Sequence, residues 1–173
     1  MNGYGTRRAP EGLERLVHSS SEPDLRTAAG SSALTEDLAR ALLSRRDLPG
    51  TVLQELAKNS AVLKSRTAIV ALVGHAKTPR FVALPLARSL FPFELMQVAM
   101  QPGVPADLKI ALEQMLLDKI ETLSLGERLT LAKQGPTRIA ERLLIDAEAR
   151  VVESALLNPQ LTEACVVRNL MRD

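Results

Sequence analysis

Internal self-similarity is the feature that most constrains the fold of this chain. Four segments share one pattern: an apolar helical stretch, a short turn of small residues or proline, and a second apolar helical stretch. The alanines that mark the end of the first stretch are Ala57, Ala99, Ala132 and Ala155. These landmarks are 42, 33 and 23 residues apart, so the longer intervals leave room for an extra helix. One helix pair cannot bury its own apolar faces, so repeated pairs predict a stack with a continuous core.

The spacing of apolar residues within the segments is helical. Between Pro105 and Glu121, five of them fall three or four positions apart, which makes one stripe of a 3.6-residue period. These five are Leu108, Ala111, Leu112, Met115 and Leu116. No stretch alternates with period two, so we predict no strands. With no Trp, one Tyr and three Phe, the core must consist of Leu, Ala, Val and Ile, which suits closely packed helices.

Capping residues and prolines predict where the helices begin and end. Thr35 precedes two acidic residues and can cap the first strong helix. Ser124 and Glu127 have the spacing of a capping box. A further helix is predicted from about 61 to 75, and Gly135-Pro136 and Asn158-Pro159 separate the later ones.

A family resemblance follows from the turns and from the end of the chain. The L-A-K-x-x-P type turns and the ending LLNPQLTEACVVRNL resemble HEAT and leucine-rich-repeat-variant α-solenoids of bacterial proteins, over Leu34 to Asp173. The resemblance implies an all-α solenoid of stacked antiparallel helix pairs that binds protein or nucleic acid on a curved surface. It carries over no catalytic residue. The runner-up is a helical bundle without repeats.

The first 32 residues have a different composition. Gly, Ser, Pro and charged residues dominate residues 1–32, so little apolar area offsets the entropy cost of ordering them. We therefore predict a flexible tail over 1–32 and a single helical-repeat domain over 33–173. A short helix around Glu11 to His18 is allowed within the tail, because Leu13, Leu16 and Val17 share a face.

The residues that could carry chemistry are few and isolated. His75 has no second His or Cys at metal-ligand spacing, so we interpret it as a partner for a helix C-terminus. The single cysteine, Cys165, has no neighbouring base and is expected to be a small core residue. No phosphate-binding, dinucleotide-binding, zinc-protease or nucleophile-elbow motif is present. We predict no catalytic, cofactor or metal site.

The basic residues are the first candidates for partner binding. Those on the second helices of the pairs could form a positive strip that contacts phosphates. They are Lys64, Arg66, Lys109, Arg138, Arg142, Arg168 and Arg172. Acidic residues share the same helices, and the net charge is only +2, so a mixed solvated surface is the favoured interpretation.

The phenylalanines are the second candidates. Phe81, Phe91 and Phe93 lie within thirteen positions, and an exposed cluster would mark a docking site. Filling of the core is the favoured interpretation.

Taken together, the sequence predicts a non-catalytic, cytoplasmic scaffold or adaptor that binds a protein partner and no membrane. The alternative is a nucleic-acid-binding solenoid that uses the basic strip.

Overall fold

A computed structural model describes residues 11–171, and this part of the chain is entirely helical. It contains 13 α-helices, one 3-10 turn and no strand, so the prediction of an all-α fold is confirmed. The helices are α1 (Glu11–Val17), α2 (Glu22–Gly30), α3 (Glu36–Leu43), α4 (Gly50–Leu56), α5 (Ser60–Lys64), α6 (Arg66–Gly74), α7 (Arg80–Ala87), α8 (Pro92–Met100), α9 (Ala106–Lys119), α10 (Leu125–Gln134), α11 (Thr137–Leu143), α12 (Ala149–Leu156) and α13 (Glu163–Leu170). The 3-10 turn, Ile120–Thr122, follows α9.

The chain divides into two compact units, Met1–Leu86 and Ala87–Asp173. In the first unit α1 packs on α2 and α3, α2 packs on α4, and α3 packs on α6. In the second unit α10 lies beside α8 and α12, while α11 lies beside α9 and α13. The predicted domain over 33–173 includes parts of both units, which divide at the end of α7.

The helix allowed around Glu11 to His18 is present as α1, but residues 11–30 are packed helices and not the predicted flexible tail. These residues form α1 and α2, and their apolar side chains are buried in the core of the first unit. The buried residues are Leu13, Val17, Leu25, Ala28 and Ala29. Each helix is short and contains polar residues, but its apolar residues recur at helical spacing and pack on neighbouring helices. This packing stabilises the helices despite their polar composition. Residues 1–10 of the predicted tail lie outside the described part of the chain.

Leucine fills the cores of both units. The fully buried side chains include Leu42, Leu53, Leu56 and Leu72 in the first unit, and Leu95, Leu108, Leu112, Leu116 and Leu131 in the second. In α9 the stripe predicted from the sequence is confirmed, because Leu108, Leu112 and Leu116 are all buried.

Side-chain caps set the helix boundaries. Ser124 Oγ accepts a hydrogen bond from the N–H of Glu127, and Glu127 Oε2 accepts one from the N–H of Ser124 at 2.9 Å, as predicted. The hydroxyl and N–H of Ser124 also lower the pKa of the Glu127 carboxyl. The helix predicted over 61–75 is divided in two, because Ser65 has an extended backbone and its hydroxyl caps α6 at Ala68.

Hydrogen bonds join helices about 30 residues apart in the first unit. The last carbonyl groups of a helix have no partner within it, and here a residue from beyond a later helix supplies the donor. Arg45 Nη1 donates to the carbonyls of Val17 and Ser19 at the end of α1, 2.9 and 2.7 Å away. The ring of His75 binds the carbonyl of Arg45, beyond α3, at 2.8 Å.

Asn59 serves the end of α2 in the same way. Its Nδ2 donates to the carbonyls of Ala29 and Ser31 at 2.7 and 2.9 Å, and Asn59 is almost fully buried. The separations along the chain are 30 and 28 residues. The side chain therefore completes a helix end that belongs to the preceding repeat.

The second unit contains two further examples. Asn158 Nδ2 donates to the carbonyls of Ala132 and Gly135 at 2.8 and 3.0 Å, over 26 and 23 residues. Lys119 Nζ donates to the carbonyl of Leu90 at 3.2 Å, over 29 residues. Each donor follows or ends a helix, and each acceptor lies at or beyond the end of an earlier one.

The starts of the helices are joined over a similar distance. Glu36 Oε1, in the first turn of α3, accepts hydrogen bonds from Ser65 Oγ at 2.7 Å and Thr67 Oγ1 at 2.8 Å, at the start of α6. These bonds, from Ser65 first and then Thr67, lower the pKa of the Glu36 carboxyl. Thr51 in α4 donates to Glu22 in α2, 29 residues earlier. In the first unit, hydrogen bonds that span about 30 residues therefore join both the starts and the ends of helices.

Candidate interaction surface

One face of α11 gathers two of the predicted basic residues. Arg138, Glu141, Arg142 and Ile145 follow one another at steps of three, one and three positions, so they lie along a single stripe that continues past the end of the helix. The helix begins at Thr137, with Pro136 as its N-cap, directly after Gly135, the C-cap of α10. A Cβ atom on Gly135 would collide with the carbonyl oxygen of Leu131, so glycine is required there.

Neighbouring helices complete a groove beside this stripe. Arg168 and Asn169 come from α13, and Leu117 comes from α9. Together with the α11 residues they line a cavity of about 360 Å³. Of the residues predicted to bind a partner, the structure brings three together here, namely Arg138, Arg142 and Arg168.

The three guanidinium groups differ in how they are neutralised. Arg138 lies 3.4 Å from the Glu113 carboxylate of α9, and Glu113 is largely buried. Arg142 lies 3.6 Å from Glu121, whose side chain is 85% exposed, so water and salt screen this pair. Within residues 11–171, Arg168 has no ion pair or hydrogen bond, and it is exposed.

The other predicted basic residues lie elsewhere. Lys109 is half-buried near the start of α9 and does not line the groove. Lys64 ends α5 and Arg66 begins α6, both in the first unit. Arg172 lies outside the described residues. The predicted strip is thus a local arginine groove in the second unit, and its role as a binding site stays a prediction.

The phenylalanines are on the surface, so the favoured interpretation that they fill the core is wrong. Phe81 is 69% exposed, Phe91 61% and Phe93 40%. Leucine takes the core positions around them, since Leu90 and Leu95 are buried on either side of Phe91 and Phe93. Phe91 caps α8, where its N–H donates to Glu94 Oε2 at 2.7 Å. Phe91 and Phe93 therefore remain candidates for partner contact.

A second apolar surface lies on α13. Val167 is 44% exposed and Met171 79% exposed, and with Ala164 and Glu163 they line a cavity of about 710 Å³. Arg168 lines this cavity as well as the arginine groove. The sequence analysis missed this surface and Ile145. The only signal for Ile145 was its position three residues after Arg142 on the same stripe.

The residues that could carry chemistry are buried or hydrogen-bonded to neighbouring groups of the chain, as is typical of residues with a structural role. Cys165 is buried, and its nearest polar partner is the Thr162 hydroxyl at 3.1 Å. His75 Nε2 faces a carbonyl, which can only accept, and His75 Nδ1 accepts from the N–H of Lys77 at 3.2 Å. With Nε2 as the donor to the Arg45 carbonyl and Nδ1 as the acceptor, the ring is a hydrogen-bonding partner for the residues beyond the end of α3. Asp146 is nearly buried beside Arg128, with 3.6 Å between Oδ2 and Nε.

No group of three His, Cys, Asp or Glu side chains in residues 11–171 is arranged to hold a metal ion. The same residues include no helix that is both long enough and apolar enough to cross a bilayer. Comparisons of the chain with protein-family models, with curated proteins and with solved structures give no match.

Proposed function

We propose that this protein is a non-catalytic α-solenoid of the HEAT-like type that acts as a scaffold or adaptor for a protein partner. The observation that carries the proposal is the groove between α9, α11 and α13, whose lining includes three arginines and the exposed side chain of Ile145. Arginine with an exposed apolar side chain is a combination enriched in protein interfaces. The reducing cytoplasm is the proposed compartment, since Cys165 is the only thiol of the chain.

The repeat supports the solenoid part of the proposal. Helix ends in the first unit are completed by residues 26 to 30 positions later, and those in the second by residues 23 to 29 positions later. Such nearest-neighbour contacts are what a stacked helical array requires. The all-helical fold and the exposed phenylalanines are consistent with a surface that is used for binding.

A nucleic-acid-binding solenoid is the second candidate, and the same three arginines favour it. Phosphate contacts need guanidinium groups on one face. Three carboxylates weaken this candidate, because Glu141 lines the groove and Glu113 and Glu121 pair with its arginines. The described lining also contains no aromatic side chain on which a base could stack.

One pair of binding measurements separates the two candidates. The full chain is used to capture proteins from its native host, and each captured protein is purified and titrated against the wild type and against Arg142→Glu. A saturable complex that Arg142→Glu weakens supports the scaffold. In parallel, binding to generic duplex DNA is measured between about 50 and 200 mM salt, where phosphate contacts lose affinity steeply. Salt-sensitive DNA binding without any protein complex would overturn the scaffold in favour of the alternative.

A further inference from the structure

The exposed face of α13 combines apolar side chains with two opposite charges. Its shallow cavity is lined by Glu163, Ala164, Val167, Arg168 and Met171. All five residues are exposed to solvent, Val167 at 44% and Met171 at 79%. The part of the chain that the structure describes therefore leaves this face uncovered.

The spacing of these five residues is that of a coiled-coil seam. In a heptad lettered a to g, Ala164 and Met171 take position a and Val167 takes position d, the two positions that face a partner helix. Glu163 then takes position g and Arg168 takes position e, which flank the seam on its two edges. The face thus has apolar side chains along its middle, an acid on one edge and a base on the other.

Neither charge is neutralised by the rest of the described chain. Within residues 11–171, the side chains of Glu163 and Arg168 form no ion pair and no hydrogen bond. The two residues are five positions apart, which turns them about 140° from each other around the helix, so they do not meet within one copy. A second copy of α13 carries both opposite charges, and it carries them at the same spacing.

The positions of the charges select how two copies pair. In a parallel pair of helices, position g of each helix faces position e of the other, so Glu163 of each copy meets Arg168 of the second copy. In an antiparallel pair, g faces g and e faces e, which sets Glu163 against Glu163 and Arg168 against Arg168. Because like charges in contact are unfavourable, the face is complementary to itself in the parallel arrangement alone, which has two-fold symmetry.

We propose that α13 packs in parallel on α13 of a second copy and that this face is the interface of a homodimer. Ala164, Val167 and Met171 of the two copies pack on each other along the seam, and two Glu163–Arg168 ion pairs close its edges. The seam spans little more than two helical turns, so the dimer is weak and depends on concentration. The proposal goes beyond the proposed scaffold function and does not depend on it.

The test measures the mass of the full chain by sedimentation equilibrium between about 10 µM and about 1 mM, the range in which weak complexes form. The wild type should show a monomer–dimer equilibrium. Glu163→Arg and Arg168→Glu should each weaken the dimer about tenfold, because each sets like charges against one another at both edges. The double charge swap should restore the dimer, and so should an equimolar mixture of the two single variants, since both restore opposite charges at each edge.

Arg150→Glu is the matched control, because Arg150 is an exposed arginine of α12 in the same unit that does not line this face. It makes the same change of charge as Arg168→Glu and should leave the dimer unchanged. Circular dichroism melts of all the variants establish that they are folded. Since the substituted side chains are exposed, their melting temperatures should match that of the wild type.

Ala164→Cys tests the orientation of the two helices. At position a of a parallel pair a residue lies opposite its own counterpart, so this variant should form a disulfide-linked dimer under mild oxidation. Arg150→Cys places an exposed thiol away from the seam and should give no linked dimer. The wild type should give none either, because its Cys165 is buried.

Three outcomes would overturn the proposal: a wild type that is still monomeric at about 1 mM, a double charge swap that associates no better than the single variants, or equal weakening by Arg150→Glu. The first outcome would assign the face of α13 to a different partner. Absence of a linked dimer for Ala164→Cys, with the charge results intact, would overturn the parallel orientation.

Discussion

Asn59 in the first unit and Asn158 in the second make the same three hydrogen bonds. Each Nδ2 donates to two carbonyl oxygens at the end of an earlier helix, and each Oδ1 accepts from the backbone N–H two residues further along the chain. Both residues are buried, so water cannot replace the side chain as the donor. The two asparagines therefore have equivalent hydrogen-bonding roles, although the sequence around them differs.

The first prediction concerns Asn158. In Asn158→Ala the carbonyls of Ala132 and Gly135 lose their donor in a buried place, which should lower the free energy of unfolding by about 1–3 kcal/mol. Asn158→Asp should cost at least as much, since its carboxylate would face the same carbonyls. Urea denaturation followed by circular dichroism measures both. Gln134→Ala, an exposed change at the end of the same α10, is the control, and an equal loss there would refute the role of Asn158.

His75 provides the second prediction, because it serves the end of α3 as Asn59 serves the end of α2. His75→Asn offers an Nδ2 donor for the carbonyl of Arg45 and an Oδ1 acceptor for the N–H of Lys77. It should therefore retain more stability than His75→Ala, which should lose about 1–3 kcal/mol. Thermal melts of the two variants decide the point. If His75→Asn were no better than His75→Ala, the two positions would not be equivalent.

The third prediction tests whether α2 belongs to the folded unit. Leu25 is 3% exposed, so Leu25→Ala should lower the free energy of unfolding by about 2–5 kcal/mol. Thr27→Ala changes an exposed residue two positions along and should have little effect. Chemical denaturation of the two variants gives the comparison. If Leu25→Ala unfolded at the same denaturant concentration as the wild type, the flexible tail suggested by the composition would be the better description of this segment.

The fourth prediction compares two apolar residues of α9. Leu112 is fully buried and Ile110 is 58% exposed. Leu112→Ala leaves a cavity and should cost about 2–5 kcal/mol, whereas Ile110→Ala removes a side chain that is mostly in water. Under the proposed solenoid arrangement, the loss of Leu112 is expected to cause partial unfolding around α9, visible as a second transition in urea. Equal losses of stability from the two substitutions would mean that the stripe does not face the core and that the assigned helix phase is wrong.

The fifth prediction concerns acid stability. The hydrogen bond from Arg45 lowers the pKa of the Asp47 carboxyl from 3.8 to about 2. A lowered pKa in the folded state stabilises the protein above the unfolded value, and this contribution disappears as the pH falls from 3.8 toward 2. Asp47→Asn should therefore flatten the dependence of melting temperature on pH in that window. Glu14→Gln, an exposed change in α1, should leave the dependence as it is.

The helical fold could be predicted because its signals are local. The stripe of Leu108, Leu112 and Leu116 has the period of a helix, and the caps at Ser124 and Glu127 act within one turn. These features depend on residues that are three or four positions apart, so they can be recognised in the sequence without knowing which helices pack beside them.

The features that could not be predicted depend on contacts that are distant in sequence. Leu13 and Leu25 are buried because residues of other helices pack on them. The composition of their own segment gives no information about those helices. The bonds that span about 30 residues come from Arg45, Asn59 and His75. These three residue types differ, although each binds a carbonyl near the end of an earlier helix, so an alignment on landmark alanines does not reveal them.

The groove was predictable only in part, for the same reason. Arg138 and Arg142 share a face by their spacing, and the sequence analysis named both as candidates. Arg168 joins them because α13 packs on α11, which no local pattern announces. The exposure of Phe81, Phe91 and Phe93 contradicts the usual burial of phenylalanine, and only the tertiary structure shows that leucine occupies the interior instead.

The side chains that donate hydrogen bonds to the helix ends come later in the sequence than the carbonyls that accept them. During protein synthesis each such helix end is therefore made before its donor. When Ala29 leaves the ribosome, its carbonyl has no side-chain donor, because Asn59 is still 30 residues away. At a synthesis rate of about 5–20 residues per second, the donor follows roughly 1.5 to 6 seconds later. The end of α2 therefore lacks this side-chain donor until the residues that follow α4 have been translated.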